Sequence, residues 1–538
     1  MTDALITGAM QPYALTLDRF IDHAAKWHGA AEVVTGGSGG VITRITYSVM
    51  RERCKRLSGA LLSLGLARGD NFGVLAWNTQ AHMECWYGAM GVGIVCHTLN
   101  PRLSHVKLAN MIQQAANRVL AVSPDLTALA EKLLPLCPTL EHIVVLDEPG
   151  SEVSLLNLDG VRVWRYEHFL QERGEAAAWG GFDEHTPAGL CFTSGTTGEP
   201  KGVTYTHRSN YLHTLHQLQA DASGLTARDS VLVAVPMFHA NGWGFPFAGP
   251  AVGAKLVLPG RHQDGANLAH LIHAEGVTVA AGVPTVWLGL VDHLDRTGGN
   301  VASLRRLMIG GSSVPQALMD RLEKRLSVIV QTSWGMTELS PLGTTTPATA
   351  PVRRAHQSGC PPIGVDLLLA DSNGAPLPEQ RGCEGRLQVR GAAVIERYFG
   401  DQEPAVDANG WFDTGDLAVI DAEGNVSITG RTKDLIKSGG EWINPGELEA
   451  IVGALPEVAL VAVVGRAHAK WGERPILIIE SCKGAQISDE ALLDVLRGRV
   501  ASWWLPDVIV RVEAMPLAMT GKIDKQRLRA EYGSIENR

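Results

Sequence analysis

The stretch Thr193, Ser194, Gly195, Thr196, Thr197, Gly198, Glu199, Pro200, Lys201, Gly202 is made of residues suited to holding phosphate. Glycines let backbone N–H groups turn toward an anion, hydroxyls add side-chain donors and a lysine adds positive charge. The apolar run at 188–192 precedes it, so the loop is expected to leave the end of a strand. It is not a Walker A loop, because Pro200 stands where the Gly-Lys-Ser/Thr of that pattern should begin. Taken alone, the stretch also admits a plainer reading as a polar turn.

Other segments of the same character follow. Gly310, Gly311, Ser312, Ser313, Val314 and Pro315 come after a strand-like run at 305–309, and Ser333, Trp334, Gly335, Met336, Thr337 and Glu338 come after another at 327–331. Both are strand-to-loop transitions, where open α/β sheets bind ligands. Farther on lie Trp411 to Asp416, then Gly430, Arg431, Thr432, Lys433 and Asp434, and finally Thr520, Gly521 and Lys522.

These loops need a scaffold, and the sequence predicts one of alternating strands and helices. Thr16 is read as the N-cap of a helix carrying Leu17, Phe20, Ile21 and Ala24 on one face and ending before Gly29. A second helix is expected over 50–64, stopped by Gly65. Short apolar runs at 72–77, 118–122, 142–147, 231–235, 255–259 and 327–331 read as strands. Such alternation predicts an α/β protein of mixed sheets covered by helices. Near Gly430 the texture turns polar, and strands at 458–465 and 475–480 plus a Ser488-capped helix to about Val500 predict a small α+β domain. The division is therefore a large N-terminal domain at 1–430, a hinge at 431–433 and a C-terminal lid at 434–538.

Composition is consistent with this. A chain of 538 residues, 45% hydrophobic, exceeds one ordinary core. A formal charge of -9 without a long basic run gives no support to nucleic-acid or anionic-membrane binding and points to small-molecule partners. The eight cysteines contain no pair at two-residue spacing, which reads as reduced thiols in the cytoplasm. The first twenty residues do not read as a signal peptide. No apolar run approaches the roughly eighteen residues of a membrane span, so stable membrane insertion is not expected.

In this order, the segments resemble the acyl- and aryl-CoA synthetase, adenylation-domain and luciferase superfamily of adenylate-forming enzymes, over essentially the whole chain. The stretches at 239–243, 281–287 and 435–443 look most like fatty-acyl-CoA synthetases and methylmercaptopropionate-CoA ligase. The resemblance implies an enzyme that joins a carboxylic acid to AMP and passes the acyl group to coenzyme A, with ATP and Mg2+ as the other requirements. Thr193 to Gly198 and Lys201 would hold the β- and γ-phosphates. Glu338, with Thr196, would bind magnesium, a hard cation that prefers oxygen. Thr337 would contact the α-phosphate, Gly311, Ser312 and Trp334 would line the adenine site, and Ser333, Gly335 and Met336 would belong to the same ATP- and AMP-binding set. Trp334 stands where the family more often has tyrosine, offering the stacking face without the phenolic hydroxyl. Asp416 and Arg431 would hold the ribose, and Lys522 would bridge the acid and the α-phosphate. Lys433 marks the hinge, and Gly439, Gly440, Glu441 and Trp442 the CoA tunnel.

For the acyl pocket the resemblance implies His239 near the reacting carboxylate, with Val283, Gly310 and Trp243 along the wall and Trp243 as gate to an acyl tunnel. His239 also admits a structural reading as a histidine at a strand end. A medium- or long-chain fatty acid is the expected substrate, with 3-methylmercaptopropionate or an aryl-alkanoate as alternatives. Apolar walls separate acids by only about 1–3 kcal/mol per methylene, which leaves chain length open. Oligomeric state is also open, with a homodimer among the options.

Several features read as decoys. Gly36, Gly37, Ser38, Gly39 and Gly40 fit the nucleophile-elbow pattern, but the following 41–47 reads as a strand, so a hairpin turn is expected. His207, His213 and His216 are read as a solvated helix face rather than a metal site. Cys191 is read as a buried strand cysteine rather than an acyl carrier. A non-catalytic nucleotide-binding protein is disfavoured because Lys522, Glu338 and Asp416 are all present. A peptide-synthetase module would need a carrier domain, for which the sixteen residues after Lys522 are too few. A luciferase-type oxygenase would share the same motifs.

Overall fold

The computed structural model describes residues 10–150, 160–193, 200–482, 484–518 and 522–534. Ser194 to Gly198, expected to hold phosphate, lie outside the described residues, as do Thr520 and Gly521.

Among the described residues, two large sheets share a layer of helices. One runs Leu342–Thr345, Ile329–Gly335, Arg306–Ile309, Val279–Gly282, Ser230–Val233, Lys255–Leu258, Glu32–Gly36, Ile42–Thr46, parallel except for the two end pairs. The other runs Arg162–Arg165, His142–Val145, Val119–Val122, Asn71–Leu75, Val95–Thr98, Pro187–Phe192, Gly202–Thr206, with only the last pair antiparallel. Helices Asp18–Trp27, Tyr47–Ser63, Gln80–Met90 and Phe245–Val252 contribute to a core that also takes side chains from both sheets, among them Phe72 and Val231. The fully buried Trp86 and Phe247 lie there with ring centroids 5.2 Å apart. Burying side chains of this size stabilises by about 1.5–3 kcal/mol each.

A third sheet is antiparallel throughout: Val365–Ala370, Glu384–Gly391, Phe412–Ile420, Val426–Arg431. Its core takes in Cys191, Tyr205 and Trp334 from the two large sheets, which joins the third sheet to them. The fourth sheet begins only at Ile436 and forms the smaller C-terminal domain. It pairs Glu441–Ile443, Ile436–Ser438, Gly472–Ser481 and Val458–His468 antiparallel, with Val508–Arg511 parallel to Gly472–Ser481. Apolar clusters pack its helices Pro445–Val452 and Lys525–Tyr532.

The expected strands form, with ends shifted by a few residues. Three expectations need correction. The first helix starts at Asp18 with Leu17 as its cap and no side-chain cap bond, so Thr16 does not serve there. The Ser488 hydroxyl does accept from Ala491 N–H, but its helix covers only Asp489–Asp494 and then gives way to turns. The helix His207–Gln217 buries the face expected to be solvated: His207 accepts Leu17 N–H at 3.1 Å and His213 accepts Leu342 N–H at 3.0 Å. Burial pushes both imidazoles down to about 3, so they remain neutral acceptors. Ser38 sits in a hairpin between antiparallel strands with Gly39 at φ +66°, as a turn requires.

Candidate functional site

A cleft of about 2390 Å³ opens where the three N-terminal sheets meet the C-terminal domain. Most of the sequence-expected segments line it, several of them leaving the ends of strands. Thr193 follows Pro187–Phe192 and Lys201 precedes Gly202–Thr206, and the two are fastened together: Thr193 N–H donates to the Lys201 carbonyl at 2.8 Å and Lys201 N–H to Thr193 Oγ1 at 3.3 Å. These two bonds hold Thr193 and Lys201 side by side.

The segment Ser333 to Glu338 leaves the strand Ile329–Gly335, whose pairing slips between Trp334 and Gly335. Such a slip re-aims the side chains beside it. Trp334 is 8% exposed, and its Nε1–H donates to Asp416 Oδ2 at 2.8 Å. Asp416, 3% exposed, accepts Arg431 Nε–H through Oδ1 at 3.0 Å. Asp416 and Arg431 face each other across the antiparallel pair Phe412–Ile420 and Val426–Arg431, which explains their meeting fifteen residues apart. Glu338 lies in a short 3₁₀ turn, Thr337–Leu339, and its Oε1 accepts the Tyr398 hydroxyl at 3.0 Å. Burial raises the Glu338 carboxyl above its ordinary range, while the Tyr398 bond works against this.

Tyr398 is the functional-site residue that sequence reasoning missed. Lys201 Nζ stands 4.5 Å from its ring centroid, so one tyrosine joins the lysine of the phosphate loop to the expected magnesium carboxylate. The segment is held there by Phe399 N–H donating to the Gly202 carbonyl at 2.8 Å. No local pattern marks Tyr398; an aromatic shortly before Phe399 and Gly400 was the available signal.

Lys522 reaches the cleft from the C-terminal domain, just ahead of the helix Lys525–Tyr532. Its ammonium is pushed down to about 8, first by burial and then by Arg431, against the pull of Asp416. His239 is pushed down to about 4 by burial and by Lys522, so it is neutral near pH 7. Lys522 thus feels Arg431, Asp416, Lys433 and Glu338, His239 feels Lys522, and all of them line the one cleft. Glu338 fits a divalent cation, since a charge beside it would offset its burial. Among the described residues no group of three or more His, Cys, Asp or Glu could hold a metal ion.

The side expected to hold the acid is built differently. Ala240, Asn241, Gly242, Trp243 and Gly244 all have positive φ, from 44° to 77°, a left-handed turn that costs roughly 1–2 kcal/mol for each non-glycine residue. Gln217 Nε2–H holds the Trp243 carbonyl at 2.9 Å, and Asn241 Nδ2–H donates to Asn210 Oδ1 at 3.2 Å. The indole of Trp243 lies against Gly310 and Gly311, where an added Cβ would come within 3.4 and 3.5 Å of it, and Val283 flanks Gly311. Ser312 also lines the cleft.

Gly439, Gly440, Glu441 and Trp442 are not brought into the cleft: they form an exposed hairpin tip on the C-terminal domain, with Gly439 N–H donating to the Trp471 carbonyl at 2.8 Å. Lys433 lines the cleft within the turn Thr432–Asp434. Cys191 is buried in its strand, and burial pushes its thiol up to about 11, which suits packing rather than nucleophilic attack. Among the described residues no helix is long and apolar enough to cross a membrane.

Residues 20–399 match the AMP-binding enzyme family, and residues 447–522 match the AMP-binding enzyme C-terminal domain. The chain is 40% identical over 534 residues to 3-methylmercaptopropionyl-CoA ligase of Ruegeria lacuscaerulensis, covering 98% of each. It is 39% identical over 537 residues to medium-chain-fatty-acid–CoA ligase of Ectopseudomonas oleovorans, again covering 98% of each. In fold it is similar to the crystal structure of an anthranilate CoA ligase in complex with anthranoyl-AMP, with a TM-score of 0.86 at 23% identity, covering 97% of this chain and 98% of that one.

Proposed function

The chain belongs to the AMP-binding enzyme family and is an AMP-forming acyl-CoA ligase; on that premise we propose that it activates a medium- or long-chain fatty acid with the residues of this cleft. One carboxylate oxygen of the acid attacks the α-phosphorus of ATP, pyrophosphate leaves, and the sulfur of CoA then attacks the acyl carbon and expels AMP. The first step brings two anions together, and Lys522 is the cation that offsets them. Neutral His239 adds no competing charge and can orient the acid by hydrogen bonding. Asp416 and Arg431 hold the ribose, Trp334 lines the adenine site, and Lys201, fastened to Thr193, holds the terminal phosphates. Magnesium, held by Glu338 and Thr196, would supply positive charge to the phosphate oxygens.

The single observation behind this reading is the convergence of Lys522, from the C-terminal domain, on Asp416 of the third sheet and on Glu338 and His239, which follow strands of the first. In the same arrangement the Gly439 to Trp442 tip faces away. A rotation of the small domain about Lys433 would exchange the two faces between the half-reactions. A cytoplasmic location fits a CoA-dependent enzyme.

A second reading has its own observation. The Trp243 indole lies against Gly310 and Gly311, and a bulky ring at that place in the wall proposed for the acid suits a short thioether acid such as 3-methylmercaptopropionate. Pyrophosphate release across acids from acetate to palmitate, with methylmercaptopropionate and benzoate, decides between them. Preference for octanoate or longer acids supports the fatty-acid reading, preference for methylmercaptopropionate replaces it, and release with no acid in the panel would refute both.

A further inference from the structure

We propose that Trp334 is a positioning residue for ribose recognition, acting through its indole N–H on Asp416. The inference rests on reading Asp416 as the carboxylate that receives the ribose hydroxyls.

An ionised carboxylate offers about four acceptor directions, two on each oxygen. In this chain one direction on Oδ2 is taken by Trp334 Nε1–H at 2.8 Å and one on Oδ1 by Arg431 Nε–H at 3.0 Å. One acceptor direction remains on each oxygen, which is the number a vicinal diol needs. A bond to each oxygen also fixes the plane of the carboxylate, so neither oxygen can rotate away from its hydroxyl.

The indole is itself fixed. Gly343 lies against the ring so closely that an added Cβ would come 2.3 Å from Cε3 and Cζ3 of Trp334. Strand pairing sets the partners: Trp334 faces Thr344, and Gly343 is its neighbour on the adjoining strand Leu342–Thr345. Backbone contact holds the N–H toward Asp416, and both side chains are largely shielded from water, where such a bond is strongest. Trp334 thus performs a polar task in addition to offering an aromatic face.

The test is equilibrium binding of AMP, 2′-deoxy-AMP, 3′-deoxy-AMP and 2′,3′-dideoxy-AMP to the full chain, with no turnover required. Hydrogen bonds to a charged group predict that wild type prefers AMP over the dideoxy nucleotide by about 100-fold. Trp334→Phe should lower that preference about tenfold, with a smaller change in dideoxy-AMP affinity. Replacing Trp334 by 3-benzothienylalanine, which keeps the ring size but puts sulfur in place of N–H, should do the same, and it covers the case in which the phenylalanine variant fails to fold. A preference that both replacements leave at the wild-type value overturns the proposal while leaving Asp416 as the ribose contact. If wild type shows no preference, or Asp416→Asn leaves it unchanged, the reading of Asp416 fails and the proposal fails with it.

Discussion

The wall of the cleft proposed to hold the nucleotide (the nucleotide wall) and the wall proposed to hold the acid (the acyl wall) are built to different standards of completion. On the nucleotide wall Trp334, Arg431 and Tyr398 each donate to a buried carboxylate, and a hairpin places Asp416 opposite Arg431. On the acyl wall five successive residues are left-handed, and behind them Gln217 Oε1, His213 Nδ1 and Asn210 Nδ2 have no hydrogen-bond partner among the described residues. An unmade buried hydrogen bond costs about 1–3 kcal/mol, and left-handed residues add to it, so the second wall is held in place at a continuing energetic cost. The contrast suits a ligase whose nucleotide never varies while its acid must be chosen. Pairing fixes the geometry of the invariant partner, and the strained turn is where selectivity can be adjusted.

The contrast can be tested from each side, beginning with the group between the walls. Lys522→Ala should lower pyrophosphate release by about 100- to 1,000-fold, while thioester formation from supplied acyl-adenylate falls by less than about tenfold; equal losses would show that the lysine serves both steps. With its ammonium pushed down to about 8 and the proposed role that of a cation, the first half-reaction should hold its rate below that pH and fall about tenfold per unit well above it. Lys522→Arg, whose charge persists, should lose the alkaline limb in the same pH–rate profile.

On the nucleotide wall, Gly343→Ala pushes into the Trp334 ring, and overpacking costs about 1–3 kcal/mol. The KM for ATP should rise several-fold with the KM for the acid unchanged, and a rise in both would mean that the walls are not independent. On the acyl wall, Gln217→Leu releases the Trp243 carbonyl, a loss of about 1 kcal/mol. The ratio of kcat/KM between octanoate and methylmercaptopropionate should shift by roughly fivefold while the KM for ATP stays constant. An unchanged ratio would assign the turn a purely structural role. The smallest effect is expected at Cys191→Ala, with turnover within about twofold of wild type and no acyl-enzyme by mass spectrometry, since a buried thiol acts as a small hydrophobe.

Motif order along the chain is enough to point to an acyl-CoA ligase, and short apolar runs place most strands within a few residues. Those signals are local, set by apolar patterning and by residue types that bind phosphate wherever a strand ends. Local reasoning failed where a distant partner decided the outcome. His207 and His213 are buried where the backbone N–H groups of Leu17 and Leu342 meet them, while His216 is half-buried. Thr16 caps nothing because the helix starts two residues later, at Asp18. Tyr398 joined the site where Phe399 docks on Gly202 and Ile395 on Glu338, and the indole N–H of Trp334 found Asp416, 82 residues away in sequence. Strand-and-loop order and the set of charged groups were thus legible from the chain alone, because both depend on neighbours along it. Which polar atoms pair was settled by folding, because a hydrogen bond depends on two groups meeting within about 3 Å, whatever their separation in sequence.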